Sequence, residues 1–413
     1  MDFDAYLPAA MALKEQRPDW QIRFLTFSRE NFEFLKQNTT LMTGLHTCGT
    51  LHCADTKDGS GFLVRQMNRL RVHMMIAGWL LRFPKPLLLN SLPFCRLNLL
   101  IWFLIAKLNG GKCFVMVKHR VVDSFVLPGH RERIKTELQA RRSGLGRLMF
   151  QRYDALVHFH DQQVHTLQLY GFNDSGGGLR VISVGLQTLS PVWRQLIREQ
   201  AEVERRKLSE QGLDMSRDVY SFMLSKSFKS RDMRAPDSVE FAFRLPLITL
   251  RELKPEAVIL IRPHPAAVDD PFLVDTLKEL DDPGMVVTLA HPEVMISLSR
   301  RTFFHVPNTV MATSYEARIV DCSEYPDSFL EERNGVPPAH GFGGIHVDPR
   351  SEDFRKRFAR ALEDDDAYAI GEVDAVRREL LERNPPNLAP LLQFIEDRSG
   401  KKRQTRPRGG LAH

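Results

Sequence analysis

The stretch that most limits what this 413-residue chain can become is Ala257–Ile261, AVILI, followed directly by Arg262, Pro263, His264 and Pro265. Five apolar, mostly branched residues are too few for a helix, and such a run reads as a strand buried on both faces. Pro263 and Pro265 forbid continuing the strand or starting a helix at once, so the chain must turn. Arg262 and His264 are thereby presented at the carboxyl end of a buried parallel strand, the edge where open α/β sheets bind ligands. Arginine offers a planar, permanently charged fork and histidine one or two donors, a pair suited to phosphate or diphosphate oxygen. The bland alternative is a surface arginine and a histidine that fills a loop. The position directly after a buried strand favours the ligand.

The rest of the chain alternates in the same way. Helical spacing at 3–15 is followed by a strand at 20–27, a helix at 31–36 and a short strand at 50–54. Next come a long helix at 62–81 with Arg65, Arg69 and Arg71 on one side, a strand at 86–90, a helix at 97–108 and a strand at 112–118. A helix at 129–150, a strand at 155–160, a helix at 162–169 and a strand at 179–184 complete the first half. A doubly wound domain ordinarily opens with a strand, and here a helix comes first, so either the fold lacks that strand or a late start codon has cut it off upstream of Met1, the second being the preferred reading. The helix at 97–108 is apolar almost all round; of two readings, a monotopic membrane patch and a helix packed between sheet and neighbour, the second is favoured because a strand follows at once, with Gly110 and Gly111 ending the helix.

The break between halves falls at 187–217, where the charged helix 191–211 reads as a connector with no long apolar face. A second β/α series follows. Its strands are expected at 218–224, 257–261, 285–289, 302–306 and 318–322, with helices at 239–253, 270–280, 293–299 and 309–317, then C-terminal helices at 353–362 and 367–381. Such a rhythm predicts parallel sheets covered by helices on both faces. The expected domains are 1–186 and 218–397, joined by 187–217, with 398–413 a disordered basic tail.

Composition sets the class. Apolar residues are 43% and charged residues 26%, as in a globular protein, and the net charge of +6 suits a polyanionic ligand without selecting one. Cys48, Cys53, Cys95, Cys113 and Cys322 are widely spaced with no CxxC pair, and read as reduced thiols of a cytosolic protein. The acidic N-terminus is unlike a secretory signal, and no apolar run is long enough to span a membrane. Walker A, HExxH, GxSxG and a GxGxxG after a strand are all absent, which argues against a P-loop NTPase, a zinc protease, a serine hydrolase and a classical dehydrogenase.

Polar groups then collect after the strands of the second half. Ser225 and Lys226 follow the first, Arg262 and His264 the second, His291 the third, and Asn308, Thr309, Ser314 and Glu316 the fourth. Asn308 can cap the helix that follows, freeing the backbone N–H of Thr309 for an anion. Two readings stand for Glu316, a ribose acceptor or a solvated helical carboxylate. In the first half His119 ends a strand, and is either a general base or a histidine bonded to a loop carbonyl. The acidic run 364–366 lies between helices and reads as a surface loop, so no metal site and no cofactor are expected.

Two β/α domains, an Arg-Pro-His-Pro turn in the second and a small-polar-then-Glu segment after it resemble GT-B fold glycosyltransferases of bacterial surface-polysaccharide synthesis. The Pro-His-Pro turn is similar to that of CDP-glycerol glycerophosphotransferases and to the His-Pro motif of bacterial sialyl-, polysialyl- and Kdo transferases. The resemblance implies two Rossmann-like doubly wound domains facing a cleft, and assigns His264 to the donor phosphate. It places His119 where the glycerophosphotransferases have their candidate base, with Arg120 in place of their Gly. The sequence Val184-Gly185-Leu186 leading to Trp193 is similar to the exit from the first domain in these enzymes.

The function implied is transfer of a sugar or polyol phosphate from a nucleotide-activated donor to a surface-glycan or lipid-linked acceptor, without a metal. The expected setting is the cytoplasm, with no nucleic acid, and the basic tail reads as a plain solubilising tail, with a peripheral contact to an anionic membrane as its alternative. Two rivals remain at this stage: a non-hydrolysing sugar-nucleotide epimerase, and a catalytically silent scaffold of a capsule-synthesis complex.

Overall fold

The computed structural model describes residues 3–26, 29–53, 62–91, 97–116, 153–159, 180–224, 240–264, 267–305, 318–325, 330, 344–363 and 372–397. The expected helices at 129–150, 162–169 and 309–317 and the basic tail 398–413 lie outside these residues.

The first half runs α1 (Phe3–Gln16), β1 (Ile22–Thr26), α2 (Arg29–Gln37), α3 (Thr39–Cys48), β2 (Gly49–Cys53), α4 (Phe62–Arg82), β3 (Leu87–Ser91), α5 (Leu97–Leu108), β4 (Lys112–Met116), β5 (Ala155–His158) and β6 (Arg180–Ser183). β1 and β2 pair in parallel, and β3 to β6 form a parallel sheet in sequence order. Among the described residues β1 and β3 each pair on one side only. Helices bridge the two pieces on both faces. From α1, Leu7 and Met11 pack with Leu41 and Leu45 beside β1, while Ala9 and Ala12 pack with Phe114 and Met116 of β4. From α4, Val72, Ile76 and Leu80 join Leu25 of β1 to Leu88 of β3. α5 stops where expected: Gly110 takes a positive φ of 70°, and the Gly111 N–H closes back on the Ala106 carbonyl at 2.7 Å.

The second half runs α6 (Pro191–Glu210), β7 (Val219–Met223), α7 (Leu245–Leu253), β8 (Val258–Arg262), α8 (Pro271–Leu280), β9 (Met285–Val287), α9 (Pro292–Leu298), β10 (Arg301–Phe304), β11 (Ile319–Asp321), β12 (Gly344–His346), α10 (Phe354–Glu363), α11 (Glu372–Arg383) and α12 (Ala389–Glu396). Its six parallel strands are ordered β12-β11-β10-β7-β8-β9. Strand order therefore reverses between β7 and β10, the switch point of a doubly wound sheet. Alternate residues cover the two faces. Tyr220, Phe222, Ile259, Ile261 and Phe303 meet Leu247 and Phe358 on one. Met223, Val258, Leu260 and Phe304 meet Met295 and the connector on the other.

The connector corrects one expectation. α6 does have an apolar face: Trp193, Leu196, Ile197, Ala201 and Leu208 are all buried. They share one core with Leu41 and Leu45 from the first half and with Leu260 and Phe304 from the second. The nine charged residues of this helix hide a stripe at helical spacing, because a buried stripe needs only one residue in three or four. α12, in sequence the end of the second half, packs Leu388 and Leu391 against Phe114, Val157 and Ile182 of the first-half sheet.

Candidate functional site

Five strands of the second sheet end level. Pairing puts His346 beside Asp321, Asp321 beside Phe304, Phe304 beside Met223 and Met223 beside Arg262 in one row across the carboxyl edge. Whatever follows each of these residues rises from the same rim, and the rim runs through the switch point between β7 and β10.

At β8 the backbone and the side chain of Arg262 have separate partners. Its carbonyl accepts from the Leu224 N–H at 2.9 Å, and its Nε donates to the Ala290 carbonyl at 2.8 Å. The guanidinium is thus tied toward the segment that follows β9. Pro263 is buried, and the His264 carbonyl accepts from the Ala267 N–H at 2.7 Å, closing the turn that the two prolines impose. His264 itself is half-buried at the rim.

His291 caps α9, its Nδ1 accepting from the Glu293 N–H at 3.3 Å. It is buried edge-on against Trp193, with ring centroids 5.5 Å apart. Trp193 Nε1 donates to Glu293 Oε2 at 2.9 Å, and Arg194 stands 3.7 Å from the same oxygen. Burial holds the Arg194 guanidinium below its ordinary pKa, opposed by the neighbouring Glu293 charge. The first turn of the connector is therefore locked to the third strand's exit by a buried polar cluster. A second cross-link lies about three turns on, where Thr288 Oγ1 donates to the buried Glu204 at 3.0 Å.

The other end of the row was not marked by sequence reasoning. Asp321 is fully buried, and its carboxylate accepts from the Ser323 N–H at 3.0 Å, from the Ser323 hydroxyl and from Tyr325 Oη at 2.6 Å. His346 Nε2 lies 2.9 Å from the Ser323 carbonyl, and its ring stands 5.2 Å from that of Tyr325. Arg350 Nε donates to the buried Glu324 at 2.9 Å. An acidic residue ending an apolar strand and followed two places on by serine is the signal that would have found this turn.

Of the residues singled out from sequence, Arg262, His264 and His291 stand at or after the ends of the adjacent strands β8 and β9, with Arg262 bonded to the Ala290 carbonyl next to His291. His119, Ser225, Lys226, Asn308, Thr309, Ser314 and Glu316 lie outside the described residues. Among the described residues no cluster of three or more His, Cys, Asp or Glu side chains could hold a metal ion. Cys48, Cys53, Cys113 and Cys322 are free thiols. Burial pushes Cys48 and Cys113 up to about 12 and Cys322 well above its usual value, so these three are packing groups rather than nucleophiles.

No family model and no curated protein sequence matches the chain. Solved structures do. The chain is similar to Glycyrrhiza uralensis UGT73P12 complexed with glycyrrhetinic acid 3-O-monoglucuronide, with a TM-score of 0.55 and 11% identity over 95% of this chain and 92% of that one. It is also similar to LpCGTa in complex with UDP, with a TM-score of 0.50 and 12% identity over 94% of this chain and 95% of that one. At this identity the likeness speaks for the fold, and it extends over both halves. The parallel sheets, the strand-order reversal and the full-length match agree: the chain has the GT-B fold, two Rossmann-like α/β domains facing a cleft.

Proposed function

We propose that this chain is a glycosyltransferase that uses a nucleotide-activated donor. The observation that carries the reading is the Arg262–His264 turn at the carboxyl edge, one strand from the switch point. The UDP bound to LpCGTa supports a uridine nucleotide as the first donor to try. In this reading domain 218–397 holds the donor. Arg262 and His264 stabilise the charge that develops on the leaving phosphate, joined by Thr309, where the sequence leads us to expect a helix start. Ser225, Lys226, Asn308, Ser314 and Glu316 extend the same donor surface, and His291 supports it from beneath as the cap of α9. Domain 1–186 receives the acceptor, with His119 as the base. The resemblance of the Arg-Pro-His-Pro turn to bacterial polysaccharide enzymes supports a surface-glycan or lipid-linked acceptor, a metal-independent route and work at the cytoplasmic side.

The test is titration calorimetry of the wild type and His264→Ala with UDP, CDP and CMP, beside a melting curve. Removing a hydrogen bond to a charged phosphate costs about 1.5–3 kcal/mol, roughly a tenfold to hundredfold loss of affinity. Arg262→Lys should weaken binding too, because a point charge replaces neither the fork nor the Nε bond to Ala290. Melting temperature should hold for His264→Ala, since the prolines and the backbone bond to Ala267 keep the turn. Equal affinity in both proteins would remove the phosphate role from His264. No binding of any nucleotide by the wild type would reject the transferase itself.

A further inference from the structure

α4 has two apolar stripes, and only one is used. Val72, Ile76 and Leu80 face the core. Half a turn round the helix, Met67, Leu70, Met74 and Leu81 point outward, each between 61% and 70% exposed. The adjoining α5 repeats the pattern. Trp102, Phe103 and Ala106 are buried, whereas Ile101, Leu104 and Leu108 are exposed, Leu108 at 87%. The sequence reading of α5 as a helix packed between sheet and neighbour thus leaves its outward side unaccounted for. The two helices pack together, with His73 of α4 against Trp102 of α5 at 5.3 Å, so their outward stripes adjoin. Monomeric soluble proteins seldom expose so many large apolar residues side by side.

Charge says what covers them. Residues 59–122 contain no Asp or Glu and ten Lys or Arg, more than the net +6 of the whole chain. Arg71 and Arg82 are exposed on the flank of the α4 stripe, with Lys85 just beyond it, and none of the three forms an ion pair with a described residue. Between Met74 and Leu81 the described part of the stripe presents Ala77 and Gly78, which offer no side-chain hydrogen bonds by which a protein partner could be told from another. We propose that the outward face of α4 and α5 docks on an anionic lipid bilayer. The Leu and Met side chains would enter the headgroup–acyl boundary, and the flanking cations would meet lipid phosphates. No described helix is long and apolar enough to cross a membrane, so the contact lies in the interface. This proposal does not rest on the donor reading.

Flotation of the full chain with vesicles tests it, with no nucleotide present. Vesicles of phosphatidylcholine are compared with vesicles that also contain phosphatidylglycerol. The wild type should float with the anionic vesicles and release progressively as salt rises. Leu70→Glu with Met74→Glu should lower that partitioning about tenfold or more, at an unchanged melting temperature because both side chains are exposed. Ile101→Glu with Leu104→Glu on α5 should do the same, and serves if the first pair fails to fold. Deleting 398–413 should leave most of the binding. Binding that survives both helix variants, or binding lost with the tail alone, would overturn the proposal. So would a wild type that ignores both vesicles. A wild-type dimer that the variants turn into a monomer would give the face to a second copy instead.

Discussion

At the scale of single residues, the strongest constraint is the buried group shared between the connector and α9. Glu293 is 5% exposed, accepts from Trp193 and faces Arg194. Glu293→Gln keeps an oxygen for the indole N–H but removes the negative charge that faces Arg194. Destabilisation of about 1–3 kcal/mol is expected, read as a lower denaturant midpoint at unchanged slope. An unchanged midpoint would mean that water already screens the pair. None of these three residues was readable as a cluster, because a hundred positions separate Trp193 from Glu293 and nothing local announces the bond. Arg262 and His264 were readable for the opposite reason. Their strand, their prolines and their chemistry sit within nine consecutive residues, so local rules sufficed.

Among the elements, the return of the chain to the first half is the tightest fit. After β6 the backbone passes Gly185 with a φ of 66°, and a Cβ there would collide with the Pro385 carbonyl. The Leu186 N–H donates to the Asn384 carbonyl at 3.0 Å and the Asn387 N–H to the Val184 carbonyl at 2.8 Å, so the outgoing and returning segments are bonded to each other. Gly185→Ala should therefore cost roughly 2–4 kcal/mol and loosen α12. Limited trypsin treatment should cut at Arg383 in the variant before it cuts the wild type, and equal cleavage would show that the crossing tolerates a side chain. Long, periodic elements such as α1, α4 and α5 were legible to within a residue or two. α3, β12 and α12 were not. β12 is three residues long, and α12 is short and opens on prolines and asparagines that read as loop. The apolar face of α6 was missed because charge dominated its composition, while its spacing told the truth.

For the whole molecule, a parallel β/α architecture was legible because its strands are short apolar runs that no exposed element could afford. How the first-half strands group was not legible, since sheet order depends on which edges meet in space. In the outcome the second sheet is continuous over six strands, and the first is divided between β2 and β1 on one side and β3 to β6 on the other. Hydrogen exchange should record the difference. Amides of β8, paired on both sides and buried, should exchange last, and those of β1, whose residues are mostly half-buried, well before them. Equal protection would mean that β1 is covered as fully as β8. The divided sheet also bears on how the protein behaves in a tube. Among the described residues β1 and β3 each pair on one side only, and the β3 edge, with the exposed Leu87 and Leu89, is a template onto which another chain can add. Loss of soluble material on warming should then rise steeply with protein concentration, and should begin before the second half has melted.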